Sequence, residues 1–144
     1  MKADGYRNKE ETMAKATLAK KLRIQAGNRV LILNRPEGYM ELLSDLPEGV
    51  TVSHEPEGTY DFVHLFVKNS SELKDLLPAA MEASEYDGLF WISYPKQSSK
   101  VETDLNRDVL WELMMETDLR PVTQVAVDPT WSALRFRPAE RVGK

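Results

Sequence analysis

Residues 60–67 read Tyr-Asp-Phe-Val-His-Leu-Phe-Val, and runs of the same kind recur at Arg29–Leu33 (Arg-Val-Leu-Ile-Leu) and at 89–94 (Leu-Phe-Trp-Ile-Ser-Tyr). A strand with one wet face alternates apolar and polar side chains, whereas a nearly unbroken apolar run needs cover on both faces. Three such runs, separated by stretches of helical composition, imply a mostly parallel sheet with helices on each side. This is the arrangement of an α/β doubly wound domain.

The intervening segments fit that frame. Residues 9–23 combine alanine, leucine and lysine in a helical pattern that Gly27 would end. A short helix is predicted over 39–44 and a short strand over 50–53. Asn69-Ser70-Ser71-Glu72 is a capping-box pattern with Asn69 as the cap, opening a helix to about residue 84 that Pro78 should kink or split. Asp87-Gly88 predicts a turn before the strand at 89–94. Thr103 or Asp104 would cap a helix to about residue 117, with Leu105, Val109 and Leu113 as its core stripe and Leu110 and Met114 beside it. Two closing strands, 121–127 and 131–137, flank Asp128-Pro129-Thr130 and predict an antiparallel hairpin. In the second, Trp131, Ala133 and Arg135 share one face and Ser132, Leu134 and Phe136 the other. Numbered along the chain, the six predicted strands are β1 (29–33), β2 (50–53), β3 (60–67), β4 (89–94), β5 (121–127) and β6 (131–137). One domain over 12–137 follows, with a flexible extension at 1–11 and a frayed tail over the last residues, 138–144.

Composition narrows the function. With no cysteine in 144 residues, thiolate nucleophiles, disulfides and cysteine-ligated metals are excluded. His54 and His64 stand far apart with no third partner at metal-ligand spacing, so no metal is expected. No apolar run reaches the roughly 20 residues of a membrane span. The polar residues 1–11 contain no signal-peptide core, so a cytoplasmic protein is expected. The net charge of −4 conceals a basic excess in residues 1–29 and an acidic excess in 30–90. The basic arm carries no interleaved aromatic side chains, so it reads as the solvated face of a helix and not as a nucleic-acid surface. His64, in line with Phe62 and Phe66, reads as a core histidine, and Trp91, Trp111 and Trp131 as core or interface anchors.

The apolar runs, each followed by a loop, and the closing hairpin together resemble the class I S-adenosylmethionine (SAM)-dependent methyltransferase scaffold over roughly residues 12–137. That resemblance implies the strand order β2-β1-β3-β4-β6-β5, with one strand and helix of the full scaffold missing between β2 and β3. More closely, the chain resembles a family of short bacterial proteins of unassigned function. The phrases that carry this are Asn34-Arg35-Pro36-Glu37-Gly38-Tyr39, Trp91-Ile92-Ser93-Tyr94-Pro95-Lys96 and Thr130-Trp131-Ser132-Ala133-Leu134-Arg135-Phe136.

In open α/β sheets ligands bind beyond the carboxyl ends of the strands, at the switch point of the topology. The residues there are Asn34, Arg35, Glu37 and Gly38 after β1, Glu55 after β2, and Tyr94, Lys96, Ser98, Ser99 and Lys100 after β4. Arg35, Lys96 and Lys100 would face one small anionic ligand, with Ser98 and Ser99 hydrogen-bonding to it. Glu55, 22 residues beyond Leu33, is placed to take a ribose. The loop after β1 holds a single glycine and the bulky Arg35, which is poor material for the close backbone approach a SAM donor needs. Ser93 and Lys96 match a Ser-x-x-Lys motif, but Pro95 keeps them off one helical turn. The leading expectation is a non-catalytic binding protein on a degenerate methyltransferase-like scaffold, without cofactor and with no catalytic residue assigned. The alternatives are a diverged SAM-dependent methyltransferase and a partner-binding structural subunit. A homo-oligomer is compatible with any of these, because the hairpin leaves β5 as a free edge.

Overall fold

The computed structural model describes residues 17–144. Six strands form one sheet in the order β2-β1-β3-β4-β6-β5. They are β1 (Arg29–Leu33), β2 (Thr51–Ser53), β3 (Tyr60–Phe66), β4 (Ser84–Pro95), β5 (Leu119–Ala126) and β6 (Trp131–Pro138). Strands β2, β1, β3 and β4 pair in parallel, and β6 runs antiparallel between β4 and β5. The helices are α1 (Leu18–Lys21), α2 (Tyr39–Leu42), α3 (Ser70–Ala83) and α4 (Arg107–Met114). Most of the helix expected over 9–23 lies outside the described residues. Within the described residues no helix is long and apolar enough to cross a membrane.

The side-chain period of two splits the apolar strands between two cores. Val63, Leu65, Phe90, Ile92, Leu134 and Phe136 pack with Leu73 and Ala80 of α3 and with Leu110 and Met114 of α4. Val30, Ile32, Phe62, Phe66, Trp91 and Ala133 point the other way, onto Ala19 of α1 and Tyr39 of α2. The predicted alternation of β6 holds, with Leu134 and Phe136 in the first core and Trp131 and Ala133 in the second. The buried Trp91 donates its Nε1–H to the Leu22 carbonyl at 3.0 Å, fixing the end of α1 against the sheet.

Three local expectations are corrected. The predicted Asp87-Gly88 turn lies inside β4: Tyr60 pairs with Ser84 and Phe62 with Leu89, so the extra β4 residues bulge out of the ladder. Asp87 takes φ +56° there, and a Cβ on Gly88 would stand 3.1 Å from the carbonyls of Asp61 and Glu85. Helix α3 runs through Pro78 as one helix, so of the two expected outcomes it is not split. Pro78 and Lys74, whose carbonyl loses its donor, are both exposed, so water can take the freed acceptor. The cap of α4 is Asn106, whose Oδ1 accepts from the Val109 amide at 2.8 Å, in place of Thr103 or Asp104. Asp104 instead reaches α3, accepting from the Ser70 amide at 2.9 Å. At the chain end residues Ala139–Arg141 form a 3-10 turn, and Arg137 and Arg141 both pair with Asp87. Asn69 caps α3 as expected, while Glu72 reaches back one residue further, to the Lys68 amide at 2.7 Å.

Candidate functional site

The parallel ladder aligns Leu33 of β1 with Leu65 of β3, and Leu65 with Ile92 of β4. The loops after β1, β2, β3 and β4 therefore emerge along one edge of the sheet. The loop after β1 begins with Asn34 at φ +60°, a left-handed conformation that asparagine tolerates better than most residues. Its Nδ2 donates to the Phe66 carbonyl at the end of β3, at 2.9 Å, and to the Glu72 carboxylate at 3.2 Å. The Asn34 carboxamide is thus a strap across the ends of β1 and β3. Arg35 and Glu37 are exposed, and Gly38 turns the chain into α2 at φ +88°, with open space where a Cβ would stand. Glu55, beyond the end of β2, is exposed, and its carbonyl accepts from the Tyr60 hydroxyl at 3.3 Å.

Beneath this edge lies a buried polar row. Tyr39 Oη is 2.6 Å from His64 Nδ1, and His64 Nε2 is 2.6 Å from Ser93 Oγ. His64 and Ser93 are fully enclosed, and His64 stacks on Phe66 with ring centroids 4.2 Å apart. Burial pushes the His64 ring down to about 3, so it is neutral, with one donor and one acceptor nitrogen matched by the two hydroxyls. Burial likewise holds the Tyr39 phenol well above the usual tyrosine range. His64 is a core histidine, as its place between Phe62 and Phe66 predicts. Ser93, committed to it, takes no part with Lys96.

At the carboxyl end of β4 the edge opens into a cavity of about 390 Å³ lined by Tyr94, Lys96, Gln97, Ser98, Asn106, Arg107, Gln124 and Ser132. Three predicted site residues, Tyr94, Lys96 and Ser98, are brought together there. Ser99 is not among them: its hydroxyl donates to the Lys96 carbonyl at 2.7 Å and closes the loop. Lys100 is exposed outside the cavity. Arg35 follows β1, two strand spacings or about 10 Å from β4, and is not in the lining either. The single cluster expected of Arg35, Lys96 and Lys100 is therefore divided, because β3 stands between β1 and β4.

The sequence reading of the site did not include Asn106, Arg107, Gln124 or Ser132. Ser132 was findable: it is the polar end of an otherwise apolar row with Leu134 and Phe136, and the pairing of β6 with β4 sets it opposite Tyr94. Gln124 Nε2 donates to Tyr94 Oη at 3.1 Å and to Ser132 Oγ at 2.9 Å. Burial is the first cause that raises the Tyr94 phenol, so it stays protonated at neutral pH. A second cavity of about 170 Å³ adjoins the first, sharing Arg107 and Gln124 and continuing over Trp111, Pro121, Val122, Thr123 and Leu134. The Arg107 guanidinium lies 5.9 Å from the centre of the Trp111 ring.

No family model matches the chain, and no curated protein matches it. Solved structures do. A complex of DhpI with S-adenosylhomocysteine (SAH) aligns with 95% of this chain and 90% of its own, at 13% identity and a TM-score of 0.59. A SAM-dependent methyltransferase from Aquifex aeolicus aligns over 83% of this chain and 86% of its own, at 13% identity and a TM-score of 0.59. A ribosomal protein L11 methylase from Lactobacillus delbrueckii subsp. bulgaricus aligns over 89% and 79%, at 12% identity and a TM-score of 0.55. The fold is methyltransferase-like, with the strand order that the resemblance implied.

Proposed function

We propose that this chain is a diverged relative of the SAM-dependent methyltransferases that binds the donor, or its demethylated product, over the carboxyl ends of β1 and β2. The observation that carries this is the sheet order, which sets the turn after β1 at the switch point of a fold whose solved neighbours include SAH and SAM complexes. The residues at that edge suit the group in part. Glu55 offers an exposed carboxylate beyond β2 to the hydroxyls of a ribose, and Gly38 leaves open space beside the turn. Arg35 suits the carboxylate of the donor's amino-acid end. When bound, the donor would supply an electrophilic methyl group; this chain's part is to bind and orient it.

Calorimetry with SAM and SAH tests the proposal. Micromolar binding is expected, weakened about tenfold or more in Glu55→Ala by loss of charge-assisted hydrogen bonds. Absence of binding at millimolar ligand would refute it. A second reading, a binding protein without chemistry that takes a small anionic ligand, is favoured by the Asn34 strap, which occupies the crevice between β1 and β3. Saturable binding of an anion by a chain that ignores both SAM and SAH would select this reading.

A further inference from the structure

The cavity at the end of β4 has a chemical bias. Two of its lining residues, Lys96 and Arg107, are cations and none is an acid. Among the described residues neither cation is in an ion pair. Several of the neutral polar groups are left as donors too. Gln124 gives its amide hydrogens to Tyr94 Oη and Ser132 Oγ, and the Ser132 hydroxyl is itself hydrogen-bonded to Tyr94, so the Tyr94 hydroxyl proton is the one left to point elsewhere. The Asn106 carbonyl is spent capping α4, which leaves its NH₂. Ser98 adds a hydroxyl from the loop. Two cations, no acid, and neutral acceptors limited to carboxamides and hydroxyls match an anionic group that accepts, which is a carboxylate or a phosphate. Its volume falls within the usual range of small-molecule sites, about 300–1,000 Å³.

The adjoining cavity is different in kind. Trp111, Pro121, Val122 and Leu134 line it, and the Trp111 side chain is 42% exposed although it is large and apolar. Arg107 belongs to both cavities and its guanidinium lies near the Trp111 ring, so the cation borders the aromatic surface. We propose that the two cavities form one site for a small amphiphilic anion. Its carboxylate or phosphate lies between Lys96 and Arg107, and its aromatic or apolar body lies along Trp111. The site uses neither Glu55 nor the turn after β1, so it stands whether or not the donor binds.

Phenyl phosphate, benzoate and inorganic phosphate are suitable probes, read by calorimetry and by the amide and indole N–H signals of the labelled full chain. Phenyl phosphate or benzoate is expected to bind saturably, to shift the Trp111 indole signal more than those of the enclosed Trp91 and Trp131, and to bind more tightly than inorganic phosphate. Lys96→Met and Arg107→Met change solvent-facing ends and should keep the wild-type melting temperature. Each is expected to weaken phenyl phosphate about tenfold or more. Trp111→Ala should weaken phenyl phosphate while leaving inorganic phosphate unchanged, and Glu55→Ala should leave both unchanged. The probe held more tightly decides between carboxylate and phosphate. No saturable binding of any probe at millimolar concentration, or binding indifferent to both Lys96→Met and Arg107→Met, would overturn the proposal.

Discussion

Acidification should destabilise this protein through one buried ring. His64 is fully enclosed between Phe62, Phe66 and Tyr39, and burial pushes its pKa from 6.5 down to about 3. In the unfolded chain the ring takes a proton near its ordinary value. Below pH 6.5 the unfolded state therefore binds more protons than the folded one, and stability falls as pH falls. The contribution is fully present above 6.5 and lost progressively down to about 3. Each pH unit in that window costs about 1.4 kcal/mol, so at about pH 4.5 the loss from this ring is roughly 2.7 kcal/mol. Against a typical domain stability of about 5–15 kcal/mol that is a large fraction. Urea unfolding of wild type and His64→Gln at pH 7 and about pH 4.5 measures it. Glutamine still offers a donor and an acceptor to Tyr39 and Ser93 but does not titrate. Wild type should lose about 2.7 kcal/mol more than the variant across that interval. The ring signals of His64 in wild type alone should show no titration above about pH 4. A His64 ring that titrates between about pH 6 and 7, or equal losses in the two proteins, would refute the reasoning.

Two further predictions follow from the same geometry. Asn34 combines φ +60° with a hydrogen bond to the Phe66 carbonyl, so Asn34→Ala should destabilise by about 2–3 kcal/mol and Asn34→Gly, which keeps the backbone at ease, by about 1 kcal/mol less; equal melting temperatures would remove the role assigned to the left-handed turn. Asp87, held below the usual carboxylate range first by the Arg137 hydrogen bonds, stabilises the β4 bulge above that range and loses this as pH falls through the lowered value. Asp87→Asn should therefore cost about 1 kcal/mol at pH 7 and much less at low pH by urea unfolding, and a cost independent of pH would contradict it.

Much of the fold was legible because it rests on local pattern. The apolar runs at 29–33, 60–67 and 89–94 required cover on both faces, and that requirement alone implied a parallel sheet between helices. The Asn69 cap and the alternation of β6 were readable for the same reason: each depends on residues a few positions apart. The errors arose where a local signal met a partner distant in sequence. Asp87-Gly88 has turn chemistry, yet Arg137 and Arg141, some 50 residues on, hold Asp87 within a bulged strand. Pro78 has breaker chemistry, yet α3 runs on unsplit, held by Leu73, Ala80 and Ala83 in the core, with Lys74 and Pro78 on its exposed side.

The candidate site divides along the same line. Composition and order placed Tyr94, Lys96 and Ser98 at the end of β4, because they lie within five positions of one another. Whether Arg35 joins them was a question of strand neighbours, and β3 lies between. Asn106 and Arg107 from α4 and Gln124 and Ser132 from the hairpin complete the donor-rich pocket, and no spacing along the chain relates them to Lys96. The sequence by itself determined which strands are buried, where α3 is capped and which loops carry cations, because side-chain period and backbone chemistry act over a few residues. Only the tertiary structure decided which of those cations share a cavity, because insertion of β6 between β4 and β5 sets the distances across the sheet.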